Sequence, residues 1–201
     1  MRRGLCLSVG AFLLTALLIG PNSAQVFAAG GSFLPLKFGQ SLTYQVTDAN
    51  GFTWEMRILV SGRANIQVFG DRYFVMDSVG YTWPTEVNII IFRSTQEEVF
   101  SYGGLGNEFL AWQDAPIGTT WTYDQYGHTI ERTIEAVETV SVPAGTFEGV
   151  LRFRQRCLNC GLEPILYTRE WVKPGFGMVK EIDYFGDVAP PRVKLLTDWT
   201  R

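Results

Sequence analysis

The chain has 201 residues, 46% of them apolar, with 17 basic and 20 acidic side chains for a net charge of −3. A mildly acidic chain without a run of Lys and Arg lacks the stripe that neutralises phosphates, which argues against nucleic acid as a partner. One histidine and three cysteines leave no His-rich metal site and little His-based proton transfer.

The first element is a leader. Arg2 and Arg3 precede an apolar run from Leu5 to Ile19, which Gly20-Pro21 ends before a small-residue stretch. This is the pattern of a secretory signal peptide, and Val26-Phe27-Ala28 predicts cleavage after residue 28. Cys6 lies inside the apolar run, so no cysteine is placed for lipid attachment. The expectation is a signal peptide over 1–28 and a single β-rich domain over 29–201. That domain is expected to be periplasmic or extracellular, with no integral membrane segment after processing. Loss of Arg2 and Arg3 leaves 15 basic against 20 acidic residues, a balance of −5.

From Ser41 onward, runs rich in Val, Ile, Thr, Tyr, Phe and Trp alternate with Gly, Asn, Asp and Pro, which is strand grammar. "SLTYQVT" and "FTWEMRILV" flank "DANG", and Asn50-Gly51 predicts a tight hairpin with two positive-φ residues. "NIQVF" and "YFVMDSV" around Gly70-Asp71, and "EVNIIIF" and "EVFSY" around "RSTQE", predict two more hairpins. Beyond Gly103-Gly104 the stretch "FLAWQDAP" reads as loop, and a second half begins at Pro116. There "TIERTI" places Ile130, Arg132 and Ile134 on one side, until the alternation slips near Ala136-Val137 and predicts a bulge. The turn "VPAGTF" follows. Then "VLRFRQR" and "ILYTREWV" flank the cysteine loop, and "GMVKEIDYF" and "RVKLLTDW" close the chain. About ten strands in antiparallel hairpins must hide one face, by a sandwich or by a half-open barrel. Alternation predicts an inner wall of Leu42, Trp54, Phe74, Ile90, Trp121, Phe153 and Trp171.

"GQSLTY" at Gly39 to Tyr44 returns 79 residues later as "GTTWTY" at Gly118 to Tyr123. A looser echo relates Val68 to Tyr73 and Val142 to Phe147, around Gly70 and Gly145. Both fit duplication of a hairpin unit. The plainer alternative is that the grammar of strand starts repeats by chance.

Three stretches, "LPLKFGQSLTY", "VPAGTFEGVLRF" and "EWVKPGFGMVKE", give the chain a resemblance to a group of exported bacterial proteins of unknown function. It resembles them in a Pro-Leu-x-x-Gly opening, a Val-Pro-Ala-Gly-Thr-Phe turn and a Pro-Gly-x-Gly-x-Val-Lys turn, with Leu42 where a Trp is common. The resemblance implies a β-rich envelope protein with the curved half-barrel of periplasmic lipoprotein carriers. It transfers no catalytic residue, because the shared positions specify turns and strands.

"CLNCG" is the strongest chemical motif. In an oxidising compartment Cys157 and Cys160 are expected to form a short disulfide at a hairpin end. Haem attachment is excluded because Gly161, not His, follows Cys160. Zinc wants four ligands, and only His128 and scattered carboxylates accompany the pair, so no metal site is expected within one chain. His128 reads as a solvent-facing turn residue, and no Gly-x-Ser-x-Gly elbow accompanies it. Glu97-Glu98 read as solvated, and Glu108, Asp114 and Asp124 as ordinary surface acids, so neither a catalytic residue nor a cofactor is expected.

The six tryptophans remain, with Trp83 before Pro84 and Trp112 in "FLAWQDAP" placed to rim a cavity mouth and Trp54, Trp121 and Trp171 placed to line it. The leading expectation is a non-enzymatic exported domain that binds an apolar or amphiphilic small molecule or an envelope protein. The alternatives are a polysaccharide-binding module and a structural or assembly component of the envelope. An enzyme using carboxylates is the remaining class.

Overall fold

The structure, a computed structural model, describes residues 33–34, 37–65, 72–80, 88–102, 108–161 and 166–200, with the backbone alone for 61–65, 72–80, 88–93, 102 and 108. The expected leader, Trp83, and the side chains of Phe74, Ile90 and Glu108 lie outside the described residues.

The alternating runs become twelve strands among the described residues, with no helix. They are β1 (Ser41–Thr47), β2 (Thr53–Asn65), β3 (Arg72–Gly80), β4 (Asn88–Ser94), β5 (Glu98–Tyr102) and β6 (Glu108–Gln113) in the first half. The second half holds β7 (Thr120–Gln125), β8 (His128–Val142), β9 (Gly145–Cys157), β10 (Tyr167–Lys173), β11 (Gly177–Tyr184) and β12 (Arg192–Thr200). All belong to one sheet in the order β6-β5-β4-β3-β2-β1-β12-β11-β10-β9-β8-β7. Each half is a six-stranded meander, and the antiparallel β1·β12 pair joins them.

The sheet curls until its two edges, β6 and β7, approach through side chains. Phe109 of β6 stacks on Tyr123 of β7 with ring centroids 4.4 Å apart. The Trp121 indole N–H donates to Leu110 O at 3.0 Å. No backbone ladder joins the two edges. The architecture is thus an antiparallel half-open barrel with a seam along β6 and β7.

One end is plugged. Phe33, buried to 1% exposure, donates its N–H to Thr95 O at 2.8 Å and accepts from Gly175 N at 2.7 Å. It thereby straps the β4–β5 turn to the β10–β11 turn. Leu34 follows it into the interior, and a Cβ at Gly177 would lie 3.2 Å from Leu34 Cδ1. Gly177 also has φ +129°, so its backbone conformation favours glycine, and a Cβ there would press on Leu34.

Several sequence expectations need correction. "FLAWQDAP" is not a loop: Glu108–Gln113 form β6, so Trp112 lies within a strand. Asn65 is the last residue of β2, and the rest of "NIQVF" lies outside the described residues. In the first hairpin Gly51 alone has positive φ, at 81°. The five-residue loop is held instead by Asp48, whose Oδ1 accepts from Asn50 N at 2.8 Å and Phe52 N at 2.9 Å. The expected bulge in β8 is present between Ile134 and Ala136, and a second lies between Glu138 and Val140.

Candidate functional site

The inner faces of both halves enclose a half-open cavity of about 460 Å³. Leu34, Leu42, Ile58 and Met178 line it near the plugged end, and Tyr44 and Met56 lie one pair further along β1 and β2. The remaining wall in the second half is polar, with Tyr123, Gln125, Arg132, Gln155, Glu170, Glu181 and Lys194, and the first half adds Ser101, Phe109, Ala111 and Trp112.

Strand pairing explains this wall. Arg132 lies opposite Gln155, Glu170 opposite Glu181, and Glu181 opposite Lys194, so five adjacent strands, β8 to β12, present polar groups in a band across the interior. Arg132 stands between Ile130 and Ile134 on a buried stripe and is itself 6% exposed. Its Nη1 donates to Glu170 Oε2 and to Ala111 O, both at 2.8 Å. Its Nη2 donates to Glu170 Oε1 at 3.1 Å and to Gln155 Oε1, and its Nε donates to Tyr123 OH at 3.1 Å. Trp112 Nε1 completes the cluster by donating to Glu170 Oε2 at 2.6 Å. Since Ala111 belongs to β6, Arg132 also ties the second half across the seam.

Burial works against the charged guanidinium of Arg132, but Glu170 and Tyr123 outweigh it and hold its pKa above the ordinary value. The Glu181 carboxyl is pushed up by burial, with Lys194 opposing at a 2.7 Å ion pair and with Glu170 and Asp183 adding repulsion. Burial raises the Tyr123 hydroxyl as well, against the pull of Arg132. Tyr44 is fully buried, its OH donating to Met178 O at 2.8 Å, and its pKa is pushed up by that burial and by Glu181. Further along the same face Asp183 accepts from Thr168 Oγ1 at 2.7 Å and from Arg192 Nε at 2.7 Å.

Of the expected wall, Leu42 lines the cavity, and Phe153 is fully buried under the edge-on ring of Trp121, at 6.1 Å between centroids. Trp121 is half-buried in the seam and does not line the space. Trp54 is half-buried opposite Val46 and stacks on Phe52 at 6.0 Å, also outside the lining. Trp112 lines the cavity, buried and bonded to Glu170 rather than standing at a mouth. Trp171 was expected in the cavity wall and does not line it: neighbouring Glu170 does, and Trp171, buried at 6% exposure in the hydrophobic core, lies on the other side of the strand. There its indole donates to Glu138, and Lys180 Nζ lies 4.5 Å from its ring centroid. None of Trp54, Trp112, Trp121, Trp171 and Trp199 is exposed, so these five build no open stacking platform.

The charged band was missed in the sequence, although it left a signal. An arginine between two inward isoleucines in "IERTI" is a charge on an apolar stripe, and such a charge needs a buried partner. Glu170 and Lys194 carried no such mark, because their partners are long-range.

Cys157 and Cys160 form a disulfide. His128 is the first residue of β8, half-buried and beside that disulfide rather than facing solvent.

No protein-family profile and no curated protein matches the sequence. The fold does have solved neighbours. One is a Bacteroides fragilis NCTC 9343 protein inferred to be exported and described as having a YmcC-like fold. It superposes with a TM-score of 0.61 at 16% identity over 85% of this chain and 100% of that one. Another is a Parabacteroides distasonis ATCC 8503 protein inferred to be a lipoprotein, with a TM-score of 0.54 at 17% identity over 85% of this chain and 99% of that one. The chain therefore shares its β fold with these two bacterial proteins.

Proposed function

We propose that this chain is an exported, non-enzymatic protein whose cavity binds an elongated amphiphile. The cavity carries this reading: an apolar floor of Leu34, Leu42, Ile58 and Met178 below a wall of paired charges. Its volume lies within the range of small-molecule sites, roughly 300–1,000 Å³. An acyl tail fits the floor, and a polar head fits beside Lys194, whose ammonium pairs with the Glu181 carboxylate at 2.7 Å and carries three donors. Arg132 already engages five acceptor contacts, so it shapes the wall and is not the headgroup ligand.

The plug is at the end that holds the β4–β5 and β10–β11 turns. Up-and-down topology puts the connections β1–β2, β7–β8, β9–β10 and β11–β12 at the other end. These carry the exposed side chains Phe52, Tyr126, Leu158, Leu166 and Val188, an apolar rim for a ligand arriving from a lipid phase. Export is supported by the leader pattern, by the disulfide and by what is inferred of both structural neighbours.

Titration of the mature protein with palmitate and with lysophosphatidylcholine, followed by tryptophan fluorescence, tests the proposal. Saturable binding on the order of micromolar is expected, since apolar burial then exceeds the cost of immobilising the chain. Leu42→Trp fills the floor and should weaken binding at least about tenfold while leaving the strand circular dichroism unchanged. A flat titration with both lipids, or a Leu42→Trp curve that overlays the parent, refutes it.

A further inference from the structure

Three donor atoms from two parts of the sequence, His128 and the Cys157–Cys160 pair, converge at the rim, away from the cavity lining. A ring nitrogen of His128 and the sulfurs of Cys157 and Cys160 all lie within 4.8 Å of one another, on half-buried side chains. The β7–β8 turn and the β9–β10 loop bring them together. Tyr126-Gly127 is a two-residue turn with φ 53° and 84°, closed by the Gln125–His128 pair. Register then sets Ile130 opposite Cys157.

Contacts that do not involve sulfur fix the loop against β8. Asn159 Oδ1 accepts from Thr129 N at 2.7 Å, Leu158 N donates to Thr129 O at 2.8 Å, and Asn159 Nδ2 donates to Gly127 O at 3.5 Å. Opening the disulfide therefore leaves Cys157 on β9 beside His128, with Cys160 next after the anchored Asn159.

We propose that the reduced form of this corner is a Cys2His site for one copper(I) ion, and that the disulfide is its closed state. A dithiol reductant opens it. The Cys157–Cys160 bond takes up two electrons and two protons to give two thiols, and the reductant becomes a disulfide. Metal binding then releases both thiol protons to solvent, and two thiolates and the unprotonated His128 nitrogen bind the ion. Thiolates select soft ions such as copper(I) and zinc. Zinc asks for four ligands, and among the described residues no fourth His, Cys, Asp or Glu joins this cluster, whereas copper(I) is satisfied by three. With metal–sulfur bonds of about 2.3 Å, three donors in a plane stand about 4 Å apart, so the two sulfurs, bonded to each other in the closed state, must separate when the disulfide opens. While the disulfide is closed the sulfurs are not thiolates, so the site answers to redox state.

The test uses the mature protein, untreated or reduced with a phosphine that is then removed, titrated anaerobically with copper(I) against a bathocuproine chelator. Reduced protein should take one equivalent and oxidised protein none. His128→Ala changes a half-buried residue at a strand start, so the fold should persist, and copper affinity should fall at least about tenfold. X-ray absorption of the reduced, loaded protein should show two sulfur neighbours and one nitrogen. No copper(I) uptake by the reduced protein overturns the site. So does a His128→Ala competition curve identical to the parent, or uptake of zinc in preference to copper(I).

Discussion

Arg132 meets five acceptor contacts in a space where an unpaired charge is heavily penalised, so its value lies in what its removal exposes. Arg132→Met leaves Glu170 buried with the Trp112 indole as its remaining hydrogen-bond donor in the cluster. It should destabilise the protein by about 3–5 kcal/mol, as breaking a buried pair from one side does. Glu170→Gln added to it removes the stranded charge while keeping an acceptor for Trp112. The double variant should therefore recover a large part of that loss, and urea unfolding of the four-member cycle measures the coupling. Additive single effects would show that the two residues are not energetically one unit. In "IERTI" the buried arginine was legible from its apolar neighbours, but Glu170 in "YTREWV" was not, because its environment is set by β8, β9 and β11 rather than by its own strand.

At the scale of elements, the echo of "GQSLTY" in "GTTWTY" has a structural counterpart. Gly39 N donates to Val60 O at 2.9 Å and Gly118 N to Ile134 O at 2.8 Å. Gln40 N donates to Lys37 O and Thr119 N to Pro116 O, both at 3.0 Å. Val60 N and Ile134 N return to Gln40 O and Thr119 O, at 2.9 and 3.0 Å. The glycines have φ of 81° and 93°, each opens the first strand of a meander, and Tyr44 and Tyr123 both reach the cavity. Of the looser echo, Val142 to Phe147 spans the β8–β9 connection, whereas residues 68–71 of the other copy lie outside the described residues. A Cβ at either glycine meets nothing within 4 Å, so replacement there costs conformation alone. Gly118→Ala and Gly39→Ala should each destabilise by about 1–2 kcal/mol, measured by urea unfolding. Little change would mean that these turns relax to negative φ without loss. The strand that sequence reading missed, β6, holds no turn residue that marks it out. "EFLAWQ" is short, and the seam rather than its own pattern makes it a strand edge.

For the whole molecule the question is what makes one sheet of twelve strands close on itself. Without a backbone ladder between β6 and β7, closure rests on Arg132, Trp121 and the Phe109–Tyr123 stack at the seam and on Phe33 at the plugged end. Phe33 joins turns from the two halves through its backbone and its buried ring anchors that backbone, so Phe33→Ala should do more than leave a void of its own size. Global stability should fall by about 3–5 kcal/mol. Amide exchange should also quicken together at the β4–β5 and β10–β11 turns, as read by hydrogen–deuterium exchange. Faster exchange at one turn alone would show that the strap does not couple the halves.

The sequence by itself determined the antiparallel β class, most of the hairpins, the bulge in β8 and the pairing of Cys157 with Cys160. Those features follow from a period of two, from turn residues and from the nearness of two cysteines in the chain, all of which act over a few residues. Tertiary structure alone decided that the meanders join through β1 and β12, that Glu170 rather than Trp171 lines the cavity, and that His128 meets the disulfide. It also decided that Arg132, Glu170, Glu181 and Lys194 form one charged wall. Each of these depends on which strand lies beside which and in what register. A shift of one residue would turn every one of those side chains to the other face.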